Sequence, residues 1–339
     1  MSLSRSRWLT VEGLGVRFAT EGREVGVVHD VSFSLDAGET LAIVGESGSG
    51  KSVTSLALMG LLPPPPRAAV SGRAVLHGAG DLDLIGLPER RMRAVRGDRI
   101  AMIFQEPLTS LNPVHRVGRQ IVEAIRCHRA VDVAAARRRA AELLDQVGIP
   151  DAETRLASYP HELSGGMRQR VMIAIALALE PDVLIADEPT TALDVTVQAQ
   201  ILELLKTLQQ RTGMGMLFIT HNFGVVAEIA DRALVMYAGR VVEEGAVAEV
   251  LTRPLMPYTS GLMRSVPRLE TAGLPGHRLA TIEGFVPDPA RPPAGCAFHP
   301  RCDWHQPGRC DAALPRLDTA APGHRLRCHR WRELDRGAA

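Results

Sequence analysis

The sequence predicts an α/β fold: a parallel β-sheet with an N-terminal antiparallel β-subdomain, a helical insertion and an irregular C-terminal extension. Apolar residues recur at every second position through much of the first forty residues, as they do in half-buried antiparallel strands. Residues 40–44 form a short, almost continuously apolar run, which is typical of a strand buried on both faces of a parallel sheet. Strand-like and helical segments then alternate to about residue 220, the order expected of an α/β sheet.

The individual elements follow from local periodicity. The alternating segments cover residues 9–18 and 31–35. Buried strands are predicted at 40–44, 100–104, 183–186 and 216–220, and helices at 52–61, about 117–147, 167–179 and about 195–210.

A change in composition near residue 250 predicts a domain boundary. Beyond it, prolines and glycines are frequent, periodicity fades, and four of the five cysteines appear. We therefore predict a first domain at residues 1–250, with a helical subdomain at about 106–170, followed by a C-terminal extension at 251–339.

Composition excludes some functions. Of the 339 residues 45% are hydrophobic, enough for a sizeable core, and the net charge of +1 gives no electrostatic footprint for nucleic acid. The longest apolar run, residues 171–179, is well short of the roughly 20 residues that span a bilayer. The N-terminus lacks the apolar core of a signal peptide. We expect any membrane role to require partner proteins.

The turn after the first buried strand carries the first chemical motif. Residues 45–52, Gly-Glu-Ser-Gly-Ser-Gly-Lys-Ser, fit the P-loop pattern between a predicted strand and a predicted helix. Backbone N–H groups would surround the phosphates, Lys51 would contact the β- and γ-phosphates, and Ser52 would ligate Mg²⁺. An incidental glycine-rich turn is the alternative. The predicted fold class is therefore a P-loop NTPase, with nucleotide-binding residues Gly45, Ser47, Gly48, Ser49, Gly50, Lys51, Ser52 and Val53.

Two carboxylates end the strand predicted at residues 183–186. Ligands of open α/β sheets bind at the carboxyl ends of the strands, so Asp187 and Glu188 should face the P-loop. Asp187 would hold Mg²⁺, and Glu188 would act as the base for, or orient, the attacking water. A charged turn before Pro189 is the alternative reading.

A serine and two glycines begin the helix predicted at 167–179. Ser164, Gly165 and Gly166 would form an N-cap and a second anion site, although an ordinary capped helix gives the same pattern. In company with the P-loop, residues 163–169 resemble the signature sequence of ABC ATPases. Phe104-Gln105 is similar to the Q-loop of that family, residues 191–194 to its D-loop, and Thr220-His221 to its switch-histidine loop.

This resemblance implies an ATPase in which ATP lies between the P-loop of one subunit and the signature of another. Ser164 and Gly166 would contact the γ-phosphate of ATP held by the partner subunit, with Gly165 between them. His221 would contact the γ-phosphate. The resemblance also assigns Gln105 to Mg²⁺ or the attacking water, Asp194 to communication between the sites, and Phe18 to adenine stacking. Asn222 departs from the family pattern, which usually has aspartate there, and so puts the orientation of His221 in question.

The tail narrows the resemblance. Residues 254–259 and 295–302, followed by Cys310 and Cys328, resemble the C-terminal extension of the peptide/nickel importer subfamily. Residues 48–53, 167–174 and 189–191 are similar to its dipeptide/oligopeptide permease D-type subunits. The resemblance implies an ATPase coupled to transport at the cytoplasmic face of the inner membrane. Its partners would be an F-type sister ATPase in a heterodimer, two transmembrane permease subunits and an extracytoplasmic binding protein.

Cys296, Cys302, Cys310 and Cys328 are spaced Cys-x5-Cys-x7-Cys-x17-Cys, without the close pairs typical of structural zinc. Four thiolates also suit an iron–sulfur cluster. The resemblance implies a [4Fe–4S] cluster, with zinc and reduced surface thiols as alternatives. We expect a structural, metal-binding site that orders the extension.

Other functions of ABC-type ATPases are less consistent with the sequence. Repair and chromosome proteins carry a long coiled coil between P-loop and signature, whereas Ser164 follows Ser52 by only 112 positions, without sustained heptads. Translation factors usually carry two cassettes, and this chain carries one. A non-hydrolysing regulator would lack Glu188 or His221. An exporter stays open on the catalytic motifs alone, and the imported solute could be a peptide, nickel or another small solute.

Overall fold

The structure is a computed structural model that describes residues 6–20, 22–78, 80–105, 110–191, 193–265 and 281–334. Residues 106–109 of the predicted helical subdomain and Ala192 of the D-loop lie outside the described residues. The strands are Arg7–Thr20 (β1), Arg23–Asp36 (β2), Thr40–Val44 (β3), Ala68–Leu76 (β4), Leu82–Asp83 (β5), Ile100–Ile103 (β6), Val183–Asp187 (β7), Gly215–Thr220 (β8), Arg232–Tyr237 (β9), Arg240–Ala246 (β10), Asp318–Ala321 (β11) and His324–Leu326 (β12). The helices are Lys51–Leu58 (α1), Glu89–Val95 (α2), Val117–Arg126 (α3), Val133–Gln146 (α4), Ala152–Arg155 (α5), Gly165–Ala176 (α6), Val195–Thr212 (α7), Phe223–Ile229 (α8), Val247–Thr252 (α9), Pro257–Arg264 (α10) and Trp331–Leu334 (α11), with short 3₁₀ turns at Pro160–Glu162 and His299–Arg301.

The predicted α/β alternation is confirmed. The buried strands predicted from apolar runs are observed within one residue of their expected bounds. The long helical segment predicted at about 117–147 is two helices, α3 and α4, because the chain turns at residues 127–132 between them.

The chain divides into two units, one of Met1–Thr10, Ser34–Glu39 and Val75–Ile219, the other of Val11–Phe33, Thr40–Ala74 and Thr220–Ala339. In the first unit, β6, β7 and β8 form a parallel ladder in which Ala101 lies opposite Leu184 and Ile185 opposite Leu217. These strands are fully buried, which explains their continuous apolar sequence.

In the second unit, β3 pairs with β9 in parallel, but β9 pairs with β10, β10 with β12 and β12 with β11 in antiparallel register. The sheet is therefore mixed, and the prediction of a parallel sheet is corrected for this part. The extension contributes β11 and β12, so it continues the sheet rather than forming a wholly irregular tail.

β10 was not predicted from the sequence because it contains charged residues that are nevertheless buried. Glu243 is fully buried in the strand and accepts hydrogen bonds from the backbone N–H groups of Leu255 and Met256, and its Oε1 lies 2.8 Å from His324 Nε2. Glu244 pairs with Arg325. Buried charges persist when partners satisfy them, and here most of those partners come from beyond residue 250.

Among the described residues, no helix is both long and apolar enough to cross a membrane. The predicted division at residue 250 stays a prediction.

Candidate functional site

The P-loop is the turn between β3 and α1 in the second unit. A Cβ atom at Gly45 would lie 2.3 Å from the carbonyl oxygen of Met236, so only glycine fits there. Gly50 has φ +98°, a left-handed conformation that glycine adopts without strain. These two positions fix the close turn that the sequence pattern predicts.

Lys51 closes the turn. Its side chain is buried, and Nζ donates hydrogen bonds to the carbonyl oxygens of Gly45 (2.7 Å) and Glu46 (3.0 Å). Ser49 is fully buried, and its Oγ has no hydrogen-bond partner among the described residues. A buried, unsatisfied hydroxyl beside an ammonium and the start of a helix fits an anionic ligand such as a phosphate. Of the other predicted residues, Ser47 and Gly48 are exposed, and Ser52 and Val53 are half-buried.

The predicted carboxylates lie in the first unit. Asp187 is buried at the end of β7, paired with Ile219 of β8. Glu188 follows it with φ +46°, a left-handed conformation uncommon for a residue with a side chain, and its N–H donates to the Ile219 carbonyl oxygen at 2.9 Å. Because of this backbone turn, the side chains of Asp187 and Glu188 leave the end of β7 in different directions.

Two side chains hold the Glu188 carboxylate. Gln105 Nε2 and Thr191 Oγ1 both donate to its Oε2, at 3.1 Å and 2.9 Å. The structure therefore brings the predicted Gln105 and Glu188 together and adds Thr191, which had no predicted role on this carboxylate. The only sequence signal for this contact is the position of Thr191, three residues after the glutamate that follows the strand. A carboxylate oriented by two donors is suited to accept a proton from, or to orient, a water molecule.

The signature and the D-loop contact each other through their helices. Ser164 caps α6 by accepting from Met167 N at 3.3 Å, and Asp194 caps α7 by accepting from Val197 N at 2.9 Å. A Cβ atom at Gly166 would lie 2.8 Å from Val197, so glycine permits this close packing. Ser164 and Gly165 remain exposed at the end of α6, where the helix N-terminus favours an anion.

The departure at Asn222 has a structural explanation. His221 is exposed after β8, and Asn222 caps α8, its Oδ1 accepting from Gly224 N at 2.8 Å. Its own N–H donates to Thr220 Oγ1 at 3.0 Å. Asparagine and aspartate are equivalent N-caps, so this residue keeps the start of the helix that the usual aspartate would support.

We expect Asn222→Ala to lower the free energy of unfolding by about 1 kcal/mol, the usual cost of losing an N-cap, while Asn222→Asp stays near the native value. Urea unfolding followed by circular dichroism measures both. An equal loss of unfolding free energy in the two variants would show that the loss does not come from removing the N-cap.

Phe18 is half-buried on β1. The structure gives it no contact that bears on adenine, so its stacking role stays a prediction.

The four clustered cysteines line one small cavity together with His299 and His329. Burial raises the pKa of Cys302 to about 11 and that of Cys328 to about 12, with neighbouring cysteines contributing, so these thiols stay protonated near neutral pH unless a cation stabilises the thiolate. Within the described part of the chain, no group of three or more His, Cys, Asp or Glu is arranged to hold a metal ion. The predicted metal-binding extension and its [4Fe–4S] cluster are therefore not supported by this arrangement.

Comparisons with known proteins agree with this geometry. A family model described as ABC transporter matches residues 28–191, and one described as the C-terminal region of oligopeptide/dipeptide transporters matches residues 242–310. The oligopeptide transport ATP-binding protein OppD of Bacillus subtilis is 54% identical over 88% of this chain and 82% of its own length. The dipeptide transport ATP-binding protein DppD of the same organism is 50% identical over 94% and 93%.

A solved structure gives the same fold. The chain resembles an ATP-binding cassette solved as a dimer in a post-hydrolysis state with ADP and Pi, with a TM-score of 0.62 and 26% identity over 70% of this chain and 98% of that one. Fold, P-loop and sequence similarity together define an ATP-hydrolysing transport enzyme of the ABC class. The chain belongs to the ABC transporter family and carries the C-terminal region of its oligopeptide/dipeptide transporters.

Proposed function

We propose that this chain hydrolyses MgATP to drive peptide uptake through separate membrane proteins. The observation that carries the proposal is the reach of the similarity to oligopeptide and dipeptide transport proteins, which includes the C-terminal region as well as the cassette. A chain without that region would be equally compatible with an exporter.

ATP binding is assigned to the P-loop and its neighbours. Backbone N–H groups of residues 45–53, the hydroxyl of Ser49 and the ammonium of Lys51 bind the phosphates, and Phe18 stacks on adenine. Ser52, Asp187 and Gln105 hold Mg²⁺, which neutralises phosphate charge when bound. The orphaned Ser49 Oγ and the glycine turn support the phosphate assignment.

Hydrolysis is assigned to Glu188. Its carboxylate orients the attacking water and accepts its proton, while Gln105 and Thr191 hold the oxygen in place. His221 contacts the γ-phosphate. The negative charge that develops on the γ-phosphate in the transition state is stabilised by hydrogen-bond donors that the fold already holds in place.

A second ATPase subunit completes each site. Ser164, Gly165 and Gly166 bind the ATP of the partner subunit, and Asp194 links the two sites. Supporting this, Ser164 and Gly165 are exposed at the N-terminal end of α6, where the helix favours an anion. We propose that the partner is an F-type sister subunit in a heterodimer.

The remaining partners are two transmembrane permease subunits and an extracytoplasmic binding protein, with this chain on the cytoplasmic face of the inner membrane. The solute never contacts this subunit. Nickel or another small solute is therefore the second candidate cargo, because the C-terminal extension resembles both the peptide and the nickel branches of the importer subfamily.

The experiment is ATP hydrolysis by the complex assembled in lipid nanodiscs with its permease and sister subunits. Binding protein loaded with dipeptides, longer peptides or nickel is added in turn. We expect peptides to stimulate hydrolysis severalfold and nickel to have no effect. Stimulation by nickel alone would transfer the assignment to a nickel importer, and hydrolysis insensitive to every loaded binding protein would contradict an importer.

We also propose that the four clustered thiols bind a [4Fe–4S] cluster, with zinc as the alternative metal, and that the metal only orders the extension. All four thiols line one cavity, which supports this proposal, although the described residues show no group of three or more His, Cys, Asp or Glu arranged to hold a metal ion. Elemental analysis after anaerobic purification should find iron in the native chain and in Cys127→Ser, but not in Cys302→Ser. Absence of both iron and zinc from the native chain would exclude the site.

A further inference from the structure

The P-loop residue Glu46 is bound by two side chains of the C-terminal extension. Its backbone N–H donates to Tyr258 Oη at 2.9 Å. Its carboxylate accepts two parallel hydrogen bonds from Arg301, Nη1 to Oε2 at 2.7 Å and Nη2 to Oε1 at 2.9 Å. Two-point arginine–carboxylate pairs are strong and geometrically selective.

Arg301 has no freedom to point elsewhere. Besides the Glu46 carboxylate, its guanidinium donates to the carbonyl oxygens of Glu283 (2.9 Å) and Ile282 (3.2 Å) and to Tyr237 Oη (3.4 Å). These bonds use all five of its N–H groups, and its side chain is only 5% exposed. The guanidinium is therefore a fixed element of the extension.

An aromatic cluster supports the same contact. Tyr237, Tyr258 and Phe298 are buried with ring centroids 4.6–5.3 Å apart, and the Arg301 guanidinium lies 5.8 Å from the Tyr237 ring centroid and 6.0 Å from that of Phe298. Tyr237 ends β9, the strand paired with β3. The extension is thereby packed against the strand beside the P-loop.

Glu46 in turn positions the group that binds phosphate. Its carbonyl oxygen accepts from Lys51 Nζ at 3.0 Å and from Ser49 N at 3.2 Å. The side chain, N–H and C=O of Glu46 are thus all engaged, the first two by the extension and the third by the P-loop. A displacement of Glu46 would move Lys51 and the turn around it.

We propose that Arg301 and Tyr258 are positioning residues for ATP binding, and that the extension acts through Glu46 to hold the P-loop in its binding conformation. The proposal rests on the proposed nucleotide site. We call the contacts of Arg301 and Tyr258 with Glu46 the clamp. If the clamp is lost, the loop samples other conformations, and the apparent affinity for ATP falls in proportion to the fraction of chains that remain competent to bind. Chemistry at Glu188 is untouched, so turnover at saturating ATP is preserved.

A second ion pair provides a matched control. Arg325 of the extension pairs with Glu244 of β10, so it also joins the tail to the cassette through an arginine and a glutamate. The structure gives neither residue a contact with the P-loop. A purely structural role for such pairs predicts the same consequence for both arginines, whereas the clamp predicts an effect on ATP only for Arg301.

The experiment measures MgATP binding to the full chain by calorimetry and steady-state hydrolysis by the complex assembled with its sister and permease subunits, with melting temperature recorded for every variant. Arg301→Gln should raise the Kd and the KM for ATP about tenfold, with kcat within about twofold, since bonds to charged groups are the stronger class. Arg301→Lys, which keeps the charge but not the two-point geometry, should be intermediate. Arg325→Gln should bind ATP as the native chain does.

Glu46→Gln tests the other side of the pair. It should weaken binding as Arg301→Gln does, and the double variant should be no weaker than the worse single variant, because both remove one interaction. Native affinity in Arg301→Gln, or equal loss in Arg325→Gln, would overturn the clamp alone. A native chain that does not bind ATP would overturn the proposed nucleotide site together with it.

Discussion

Glu188→Gln is expected to bind MgATP with near-native affinity and to hydrolyse it at least about 100-fold more slowly, since a positioned acid–base group contributes roughly 10²–10⁴ in rate. The amide has the shape of the carboxylate but cannot accept the proton of the attacking water. Gln105 and Thr191 hold the present carboxylate through one oxygen, so the fold around the substituted side chain should persist. Phosphate release by the assembled complex measures the rate.

The same variant should accumulate as a dimer with ATP trapped between the subunits, which size-exclusion chromatography with light scattering detects. Glu203→Gln is the matched control, because Glu203 is an exposed glutamate on α7 in the same unit. It should hydrolyse ATP normally. Unchanged hydrolysis in Glu188→Gln would show that another group accepts the proton.

Lys51→Ala is expected to weaken MgATP binding by about 10- to 100-fold, the equivalent of losing one charged hydrogen bond worth about 1.5–3 kcal/mol. The ammonium lies over the turn through its bonds to the carbonyl oxygens of Gly45 and Glu46. Alanine removes the positive charge and leaves both carbonyls without that donor. Calorimetric titration with MgATP measures the Kd.

Lys206→Ala is the control for this substitution, since Lys206 is the other lysine of the chain and is exposed on α7. It should bind ATP as the native chain does. Native affinity in Lys51→Ala would contradict the P-loop assignment, provided that the melting temperatures of the two variants agree.

These two residues also show what sequence alone could predict. Glu188 directly follows a short apolar strand, and Lys51 begins the helix after the turn that follows another. Such strands are recognisable because burial on both faces leaves no alternation. The strand at residues 40–44 was predicted at its observed bounds, and that at 183–186 was one residue too short. The capping role of Ser164 was likewise predicted from residue type and position, whereas the cap formed by Asp194 was not predicted.

The antiparallel half of the sheet was not predictable in the same way. Glu243 and Glu244 interrupt the apolar pattern of β10 as if the strand faced solvent, yet they are buried. Their partners His324 and Arg325 lie 81 residues further along the chain. The pairing of Arg301 with Glu46 spans 255 residues. Local periodicity carries no information about such contacts, which exist only once the extension has folded onto β10.

The most direct test of the central claim is ATP-dependent uptake of a labelled peptide into proteoliposomes that contain the assembled importer and its binding protein. We predict uptake with MgATP on the side of this subunit, none with a non-hydrolysable ATP analogue, and none when the chain carries Glu188→Gln. Uptake that continues with Glu188→Gln, or hydrolysis by the native complex without any peptide accumulation, would contradict a peptide importer driven by this chain.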